Sequence, residues 1–513
     1  MTRKPTPMHK PTPTTAPPAA DAPDLLLRNV RLVGRDGAAT DVLLEDGIVS
    51  AISEGISPGG AEVVDLDGRW LAPGLWDNHV HFDQWSLVRQ RVDVSRAVSA
   101  REAVEIVATR IRQHLPADQD LLVAYGYRDA LWPDRPTAAL LDPISEGVPI
   151  ALISADLHAV WMNTAALDLV GHAGHPTGVL REQRAFDASA IITAVDDSRM
   201  DLWAGEAAAA AAARGVVGVV DLEMTLGLDR WVRRVGGGVD SLRIRVGAYP
   251  NHLDDVIARG HRSGEDIPGG RGLVTMGPFK IITDGSLGTR TAYCHDPYPG
   301  LEGTPGAFGL STFTIDELTD HLGRASRAGF VPAVHAIGDR ALDDALTAFE
   351  AVGCGGGIEH AQLATPRAIS RMAVLGLVAS VQPEHAMDDR DTADLYWAGR
   401  TAGAFAFESL LAAGVTLRLG SDAPVAPLDP WVAIAAAVSR SRGGRKPWHP
   451  EQRVLASAAL AASTDGRGTT PVVDAPADLV VLDADPLTAP SDALRTFPVA
   501  ATLLGGRFTH VAL

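Results

Sequence analysis

The chain has 513 residues, with 63 acidic side chains against 45 basic ones and a formal net charge of -18. A surface of this charge disfavours nucleic acid and anionic membranes as partners, and no apolar run approaches the roughly 20 residues that span a bilayer. Two cysteines, Cys294 and Cys354, are too few for a disulfide scaffold or a cysteine-based zinc site. Such sparse cysteine fits a reducing compartment, so we predict a globular, cytoplasmic protein.

Both ends of the chain carry short strand-like runs. Residues 1–23 are rich in Pro, Thr and Ala and lack the apolar region of a signal peptide, which predicts a disordered tail. Residues 24–72 and 466–513 contain short apolar runs, and in the first of these segments turn sequences such as "RDG" and "EDG" interrupt the runs. We expect the two segments to form one small β-sandwich.

The middle of the chain, residues 73–465, alternates apolar strands with helical patterns. This alternation predicts a (β/α)8 TIM-type barrel, and so an α/β fold. An insertion of α+β character at about 86–190 follows the first strand and has strand-like runs of its own, "LLVAYGY" and "PIALISAD". The predicted barrel strands lie near 74–80, 216–221, 243–248, 274–282, 331–335, 357–360, 377–382 and 415–420.

Polar side chains that can bind metal stand where several of these strands end. His79 and His81 alternate in "DNHVHF", so both point to one face of a strand. His335, His360 and Asp422 each close another apolar run, and the carboxyl ends of barrel strands converge on the face where active sites form. One such histidine alone is more often a core or loop residue. Together they predict a divalent metal site; nitrogen and oxygen ligands without thiolates favour one or two Zn2+ ions, with manganese, iron and nickel as alternatives.

Lys280 lies in "GPFKIITDG", near the end of the fourth predicted strand. A buried cation is costly, and desolvation beside a metal favours the neutral amine. A neutral amine reacts with carbon dioxide to give a carbamate, which offers carboxylate-like oxygen ligands. The alternative is an unmodified lysine that bonds Asp284 or a substrate anion.

Several stretches together resemble the amidohydrolase superfamily over nearly the whole chain, and within it the YtcJ-like group that includes the N-substituted formamide deformylases. They are "LAPGLWDNHVHF", "HAVWMNTAAL", "PTGVLRE", "FKIITDGSLGTRTA", "VHAIGDRAL", "IEHAQL", "SVQPEHA", "GSDAPVAPLDP" and "ADLVVLDADPLTAP…LLGGR". The resemblance implies a metal-bearing barrel with His79 and His81 on one metal and a carbamylated Lys280 as the bridge. It implies His335 and His360 on a second metal, with Asp422 as a ligand or neighbour of the nucleophilic water. It leaves open one metal or two, and a monomer or a homodimer.

The expected activity is hydrolysis of a C–N bond by metal-activated water, with Asp422 as general base. The simplest substrate is an N-substituted formamide or another acylated amine. Hydrolysis of a cyclic amide, carbamate or ester on the same centre is the alternative within enzymes, and a catalytically idle regulatory or binding relative is the alternative outside them. The substrate-binding candidates are His158, Asp284, Arg290, Trp85, Trp132 and Trp397.

Overall fold

The computed structural model describes residues 23–112, 121–129, 132–155, 157, 159–181 and 183–513. The described residues form two compact units. The first comprises 23–81, 208–422 and 426–513, and the second comprises the described part of 82–207 together with 423–425. The predicted disordered tail, apart from residue 23, lies outside the described residues.

Eight parallel strands in the first unit form a nearly closed barrel, as the sequence predicts. Each strand pairs with the next one in chain order, so the eight form one continuous parallel sheet. Every residue of the first two strands is buried, as expected for parallel strands covered on both faces. The barrel strands, in order, are Leu75–Val80, Val216–Asp221, Arg243–Ala248, Val274–Ile282, Pro332–Ala336, Gly357–His360, Val378–Val381 and Thr416–Leu419.

The first and eighth barrel strands meet through a few direct bonds. The Asn78 side chain donates to the Leu419 carbonyl at 2.9 Å, and the Asp422 amide donates to the His79 carbonyl at 2.7 Å. Gly420 permits this approach, because a Cβ atom there would lie 2.8 Å from the His79 nitrogen. The closure therefore brings Asp422 beside the first strand.

Helices alternate with the barrel strands and begin and end at ordinary capping signals. Thr314 and Glu317 form a capping box at the start of one helix. Gly353 and Gly376 end two others in the left-handed conformation that glycine adopts without strain. The helices of this unit are Leu228–Gly236, Leu253–Ala258, Ile315–Arg327, Asp339–Val352, Pro366–Leu375, His385–Tyr396, Phe407–Ala412, Pro430–Ser439 and Ala456–Ala462, while Asp197–Ala212 crosses the boundary between the units.

Strands from both ends of the chain pair into a second sheet of the first unit. The C-terminal strand Leu479–Leu482 runs antiparallel to Trp70–Pro73, which joins the two ends of the chain. Leu27, Leu71, Val481 and Leu503 are fully buried in one hydrophobic cluster of this sheet. Its strands are Leu25–Leu32, Thr40–Glu45, Ile48–Ser53, Glu62–Asp65, Trp70–Pro73, Leu479–Leu482, Val499–Leu504 and Arg507–Val511.

The second unit has its own five-stranded sheet of mixed direction. Its central strands Leu122–Tyr127 and Ile150–Ser154 are parallel, and they correspond to the two strand-like runs of the predicted insertion. The outer strands are Val92–Asp93, Ala159–Met162 and Val179–Arg181; the helices are Phe82–Val88, Ala100–Arg112, Ala138–Leu141, Thr164–Leu169 and Gln183–Ile192. In the described parts of both units, no helix has the length and apolar character needed to cross a bilayer.

Candidate metal centre

The predicted ligands from five barrel strands lie at the carboxyl-end rim of the barrel. One ligand atom each of His79, His360 and Asp422 lies within 4.8 Å of the other two. His81 joins them through Nε2, 3.2 Å from Asp422 Oδ1. His335 lies against His360, with 4.4 Å between the ring centroids. The structure therefore brings together side chains that are up to 343 positions apart in the sequence.

Strand geometry explains how the first two histidines reach this point. His79 lies in the first barrel strand and His81 immediately follows it, so their side chains leave the same face. Their ring centroids are 5.6 Å apart. Asp77, two residues earlier, also points to this region, because its carboxylate accepts hydrogen bonds from the amides of His79 and Ser421. Burial raises the pKa of Asp77 to about 7, against the opposing effect of these two bonds.

Two ligand candidates occupy backbone conformations that are unusual outside glycine. His360 has φ 71° and Asp422 has φ 56°. A non-glycine residue in this region costs of order 1–3 kcal/mol, and such strain is concentrated at functional sites. At His360 the turn has a direct effect, since it ends the strand alternation and lets Glu359 and His360 both face His79.

Glu359 is a functional candidate that the sequence analysis missed. Its Oε2 lies 2.6 Å from His79 Nδ1, and both side chains are buried. A histidine that binds a metal through one ring nitrogen commonly has its other ring nitrogen hydrogen-bonded to a carboxylate, which fixes the orientation and tautomer of the ring. The sequence signal for Glu359 was its position next to His360 in "IEH". Strict strand alternation, however, would place the Glu359 side chain on the opposite face of the strand from His360.

Four buried nitrogen atoms of the predicted ligands have no hydrogen-bond partner within the described part of the chain: Lys280 Nζ, His81 Nδ1, His335 Nε2 and His360 Nδ1. Lys280 is only 1% exposed. The large majority of buried side-chain polar atoms in proteins have a hydrogen-bond partner, so four unpaired nitrogen atoms close together indicate a missing partner. Neutral nitrogen donors beside a carboxylate fit a divalent cation.

The electrostatics of the rim supply the protonation states that metal binding requires. Burial lowers the pKa of Lys280, although Glu359 and Asp422 oppose the shift. Burial, and then the neighbouring His335, hold the pKa of His360 well below its usual value. For Asp422 burial acts in the opposite direction, but the nearby His79 and the hydrogen bond from His81 hold its pKa well below the usual range. Burial therefore favours the neutral forms of Lys280 and His360, and the neighbouring imidazoles favour the ionised form of Asp422.

Asp284 lies at the same rim, but its carboxylate is hydrogen-bonded to backbone amides. Its carboxylate accepts hydrogen bonds from the amides of Tyr293, Ile337 and Gly338. His335 Nε2 lies 3.2 Å from Asp284 Oδ1, without the alignment of a hydrogen bond. Asp284 thus ties the loop after the fourth strand to the turn after the fifth, and the alternative of an Asp284–Lys280 bond is not what the structure shows.

The other predicted substrate-binding residues are more dispersed. Arg290 lies over the Tyr396 ring at 5.5 Å. Trp397 is completely buried in the first unit. Trp85 lies in helix Phe82–Val88 of the second unit, and Trp132 joins a hydrophobic cluster of that unit and donates to the Ala97 carbonyl. His158 lies outside the described residues.

Comparison with known proteins identifies the family of this chain. The model of the Amidohydrolase family matches residues 62–510. The chain is 28% identical to Protein LONG AFTER FAR-RED 3 of Arabidopsis thaliana, covering 87% of this chain and 83% of that protein. It is 25% identical to the putative amidohydrolase YtcJ of Bacillus subtilis, covering 91% and 95%. It is 28% identical to the N-substituted formamide deformylase of Arthrobacter pascens, covering 93% and 96%.

A solved structure confirms the fold. The crystal structure of an uncharacterized metal-dependent hydrolase from Pyrococcus horikoshii OT3 superimposes with a TM-score of 0.76 over 91% of this chain and 99% of that one, at 23% identity. The resemblance to YtcJ and the formamide deformylases drawn from the sequence motifs is confirmed by the curated relatives. The chain belongs to the amidohydrolase family, and as a member of it is a hydrolase of carbon–nitrogen bonds.

Proposed function

We propose that this protein hydrolyses the C–N bond of a linear acylated amine, most simply an N-substituted formamide. One observation carries the proposal: the Asp422 carboxylate lies among imidazole and amine nitrogens, four of which have no hydrogen-bond partner in the part of the chain that the structure describes. The substrate class is supported by the deformylase of Arthrobacter pascens, which aligns over 93% of this chain. The substrate is a small molecule, and the negative net charge disfavours nucleic acid and membrane partners.

The residues that would hold the metal are His79, His81, Lys280, His335, His360 and Asp422. Zn2+ suits this donor set, since it is bound by imidazole nitrogen and carboxylate oxygen. When bound, the cation supplies a Lewis acid that polarises a carbonyl oxygen and makes water nucleophilic near neutral pH. Lys280 takes part as its carbamate: the neutral Nζ adds to the carbon of carbon dioxide and loses a proton, which leaves an anionic oxygen donor.

Asp422 then acts as the general base and acid. Its carboxylate is ionised and strongly stabilised by His79 and His81, so it is present in the form that accepts a proton. It takes a proton from the attacking water as the new C–O bond forms. It returns that proton to the nitrogen as the C–N bond breaks, which releases a carboxylic acid and a free amine.

His79, by contrast, is held in one orientation by Glu359. A fixed ring keeps its Nε2 directed at the Asp422 side of the rim, 3.4 Å from Oδ1. The His79 ring is thus already oriented before substrate binds, and such preorganisation is the condition for effective electrostatic catalysis.

A substrate panel with metal analysis tests the proposal. Zn2+-loaded protein is assayed on formanilide, N-benzylformamide, a longer N-acyl amine, a cyclic amide, a carbamate and an ester, with metal content measured on the same samples. We expect the linear amides to give the highest kcat/KM. Preference for the cyclic amide, carbamate or ester would replace the proposed substrate class. Metal-replete protein without activity on any of the six compounds would favour a regulatory or binding role without catalysis.

A further inference from the structure

His385 stands at the rim of the barrel and has no role in the proposal above. It is the first residue of helix His385–Tyr396, which follows the seventh barrel strand. Its side chain is buried, and its Nε2 has no hydrogen-bond partner in the described part of the chain. Its ring stacks on that of His360, with centroids 6.3 Å apart and planes inclined by 16°. Its Nε2 lies 4.0 Å from Asp422 Oδ2.

The surroundings of His385 decide which role its Nε2 can take. The Asp422 carboxylate oxygen, 4.0 Å away, only accepts hydrogen bonds. An Nε2 lone pair facing that oxygen would be repelled, whereas an Nε2–H is attracted. The 4.0 Å gap is too long for a direct hydrogen bond. Nε2 therefore acts as a donor, and one small group beside the pair can contact both Nε2 and Oδ2.

The start of this helix is fixed by two arginines. Glu384, the residue before His385, accepts from Arg442 Nη1 at 2.7 Å and from Arg495 Nη1 at 3.0 Å. Glu384 is 4% exposed, so its end of these bonds is buried and helps to hold the backbone in place. A side chain on an element fixed in this way can be pre-organised for a ligand.

The outer face of the same helix is held as well. Asp391 pairs with both terminal nitrogens of Arg445, at 2.6 and 2.9 Å. One turn further on, Asp394 accepts from the Trp448 indole at 3.0 Å. These contacts anchor the helix from the side away from His385, and they can be removed without touching the rim.

We propose that His385 Nε2–H donates a hydrogen bond to the acyl oxygen of the amide substrate, and that it does so most strongly as negative charge builds on that oxygen. This role rests on the proposed amide hydrolysis. During the reaction two oxygens are attached to one carbon: the former water oxygen, next to Asp422, and the acyl oxygen. A base and a donor separated by 4.0 Å can contact these two oxygens together. Donors aimed at a developing oxyanion are worth about 10²–10³ in kcat.

Paired substitutions with paired substrates test this role. His385→Gln places an amide N–H near the position of Nε2, whereas His385→Asn reaches only the position of Nδ1. Each is assayed with N-benzylformamide and with N-benzylthioformamide, whose sulfur is a much weaker acceptor. Zn2+ content and thermal unfolding are measured throughout, and Arg445→Gln serves as the control that loosens the same helix away from the rim.

We expect His385→Asn to lose about 10²-fold in kcat with KM and Zn2+ content little changed, and His385→Gln to stay within about tenfold of wild type. The loss on going from oxygen to sulfur should be about 10²-fold smaller in His385→Asn than in wild type, because the variant no longer has the donor. Arg445→Gln should retain wild-type kcat.

Other outcomes overturn the role in distinguishable ways. Loss of Zn2+ from His385→Asn would make His385 a metal ligand, and an unchanged oxygen-to-sulfur ratio would remove its contact with the acyl oxygen. Equal losses in the Asn, Gln and Arg445 variants would reduce its role to packing. Wild-type protein without turnover on these two substrates and on the linear amides of the panel would instead defeat the proposed function, and this role with it.

Discussion

Two buried polar clusters of the first unit differ in how completely their charges are paired. Near the amino end of the third barrel strand, Asp478 is fully buried and accepts from Arg243 at 2.8 and 3.0 Å. Arg467 and the Gly505 amide also donate to it. At the carboxyl-end rim, by contrast, Lys280 Nζ and three imidazole nitrogens find no partner within the described chain.

This difference separates a cluster that stabilises the fold from one that serves a ligand. Leaving a buried polar group unpaired costs about 1–3 kcal/mol, so a protein keeps several in one place only where something else binds them. In the Asp478 cluster the carboxylate is paired with donors from the protein, and these bonds join the terminal sheet to the barrel. The rim has unpaired nitrogen atoms that a cation would satisfy, and this is why we place the chemistry there.

The largest expected effect comes from Asp422→Asn. The amide cannot accept the proton of the attacking water, so kcat should fall by about 10³-fold or more. The substitution keeps the shape of the side chain but removes the charge that His79 and His81 stabilise, so the free energy of unfolding should fall by less than in Asp478→Asn. Steady-state kinetics and Zn2+ analysis of the same preparation measure the two properties. Near wild-type turnover with metal in place would contradict the role of Asp422.

Asp478→Asn should show the reverse pattern. It leaves the buried Arg243 guanidinium without its counterion, which is expected to cost about 3–5 kcal/mol of unfolding free energy. Denaturant titration measures this loss, while kcat at a temperature where the variant is folded should match wild type. A variant that loses activity but not stability would break the distinction between the two clusters.

Lys280→Ala tests the proposed carbamate. Without that ligand, metal affinity should fall by more than the roughly 10–100-fold expected for an outer-shell partner, and turnover should fall with it. Added short-chain carboxylates should restore part of the turnover, since they can occupy the vacated space. Lys280→Arg is the matched control, because guanidinium does not form a carbamate and fills that space; rescue of both variants alike would argue against a carbamate.

Glu359→Gln should have the smallest effect of the series. The amide can still contact His79 Nδ1 but no longer carries the charge that raises the basicity of the ring. We expect Zn2+ affinity to fall about 10–100-fold, measured by competition with a chromogenic chelator. At saturating Zn2+ most of the turnover should return. A variant with unchanged Zn2+ affinity would show that Glu359 only packs against His79.

The barrel and the placement of the proposed ligands at its rim could be predicted because they depend on local pattern. Each barrel strand is a continuous apolar run, and the polar residue that ends it must lie on the catalytic face once the strands close into a barrel. His79 and His81 needed only the period of two. Glu359 could not be predicted this way, since the positive φ of His360 overrides the alternation of the strand.

The tryptophans show a second limit of the sequence. Trp132 and Trp397 are suited both to an apolar pocket and to core packing, and no local pattern separates these uses. Trp132 packs in the cluster of its own unit and Trp397 is fully buried. The side of an element that an aromatic ring occupies depends on neighbours distant in sequence.

The most direct test of the metal centre is crystallography of Zn2+-loaded protein with anomalous scattering at the zinc edge, combined with the metal content of the same protein. The account predicts one or two ions bound by His79, His360 and Asp422, with His81, His335 and Lys280 completing the ligands. Protein saturated with Zn2+ that shows no anomalous peak among these six side chains would contradict it.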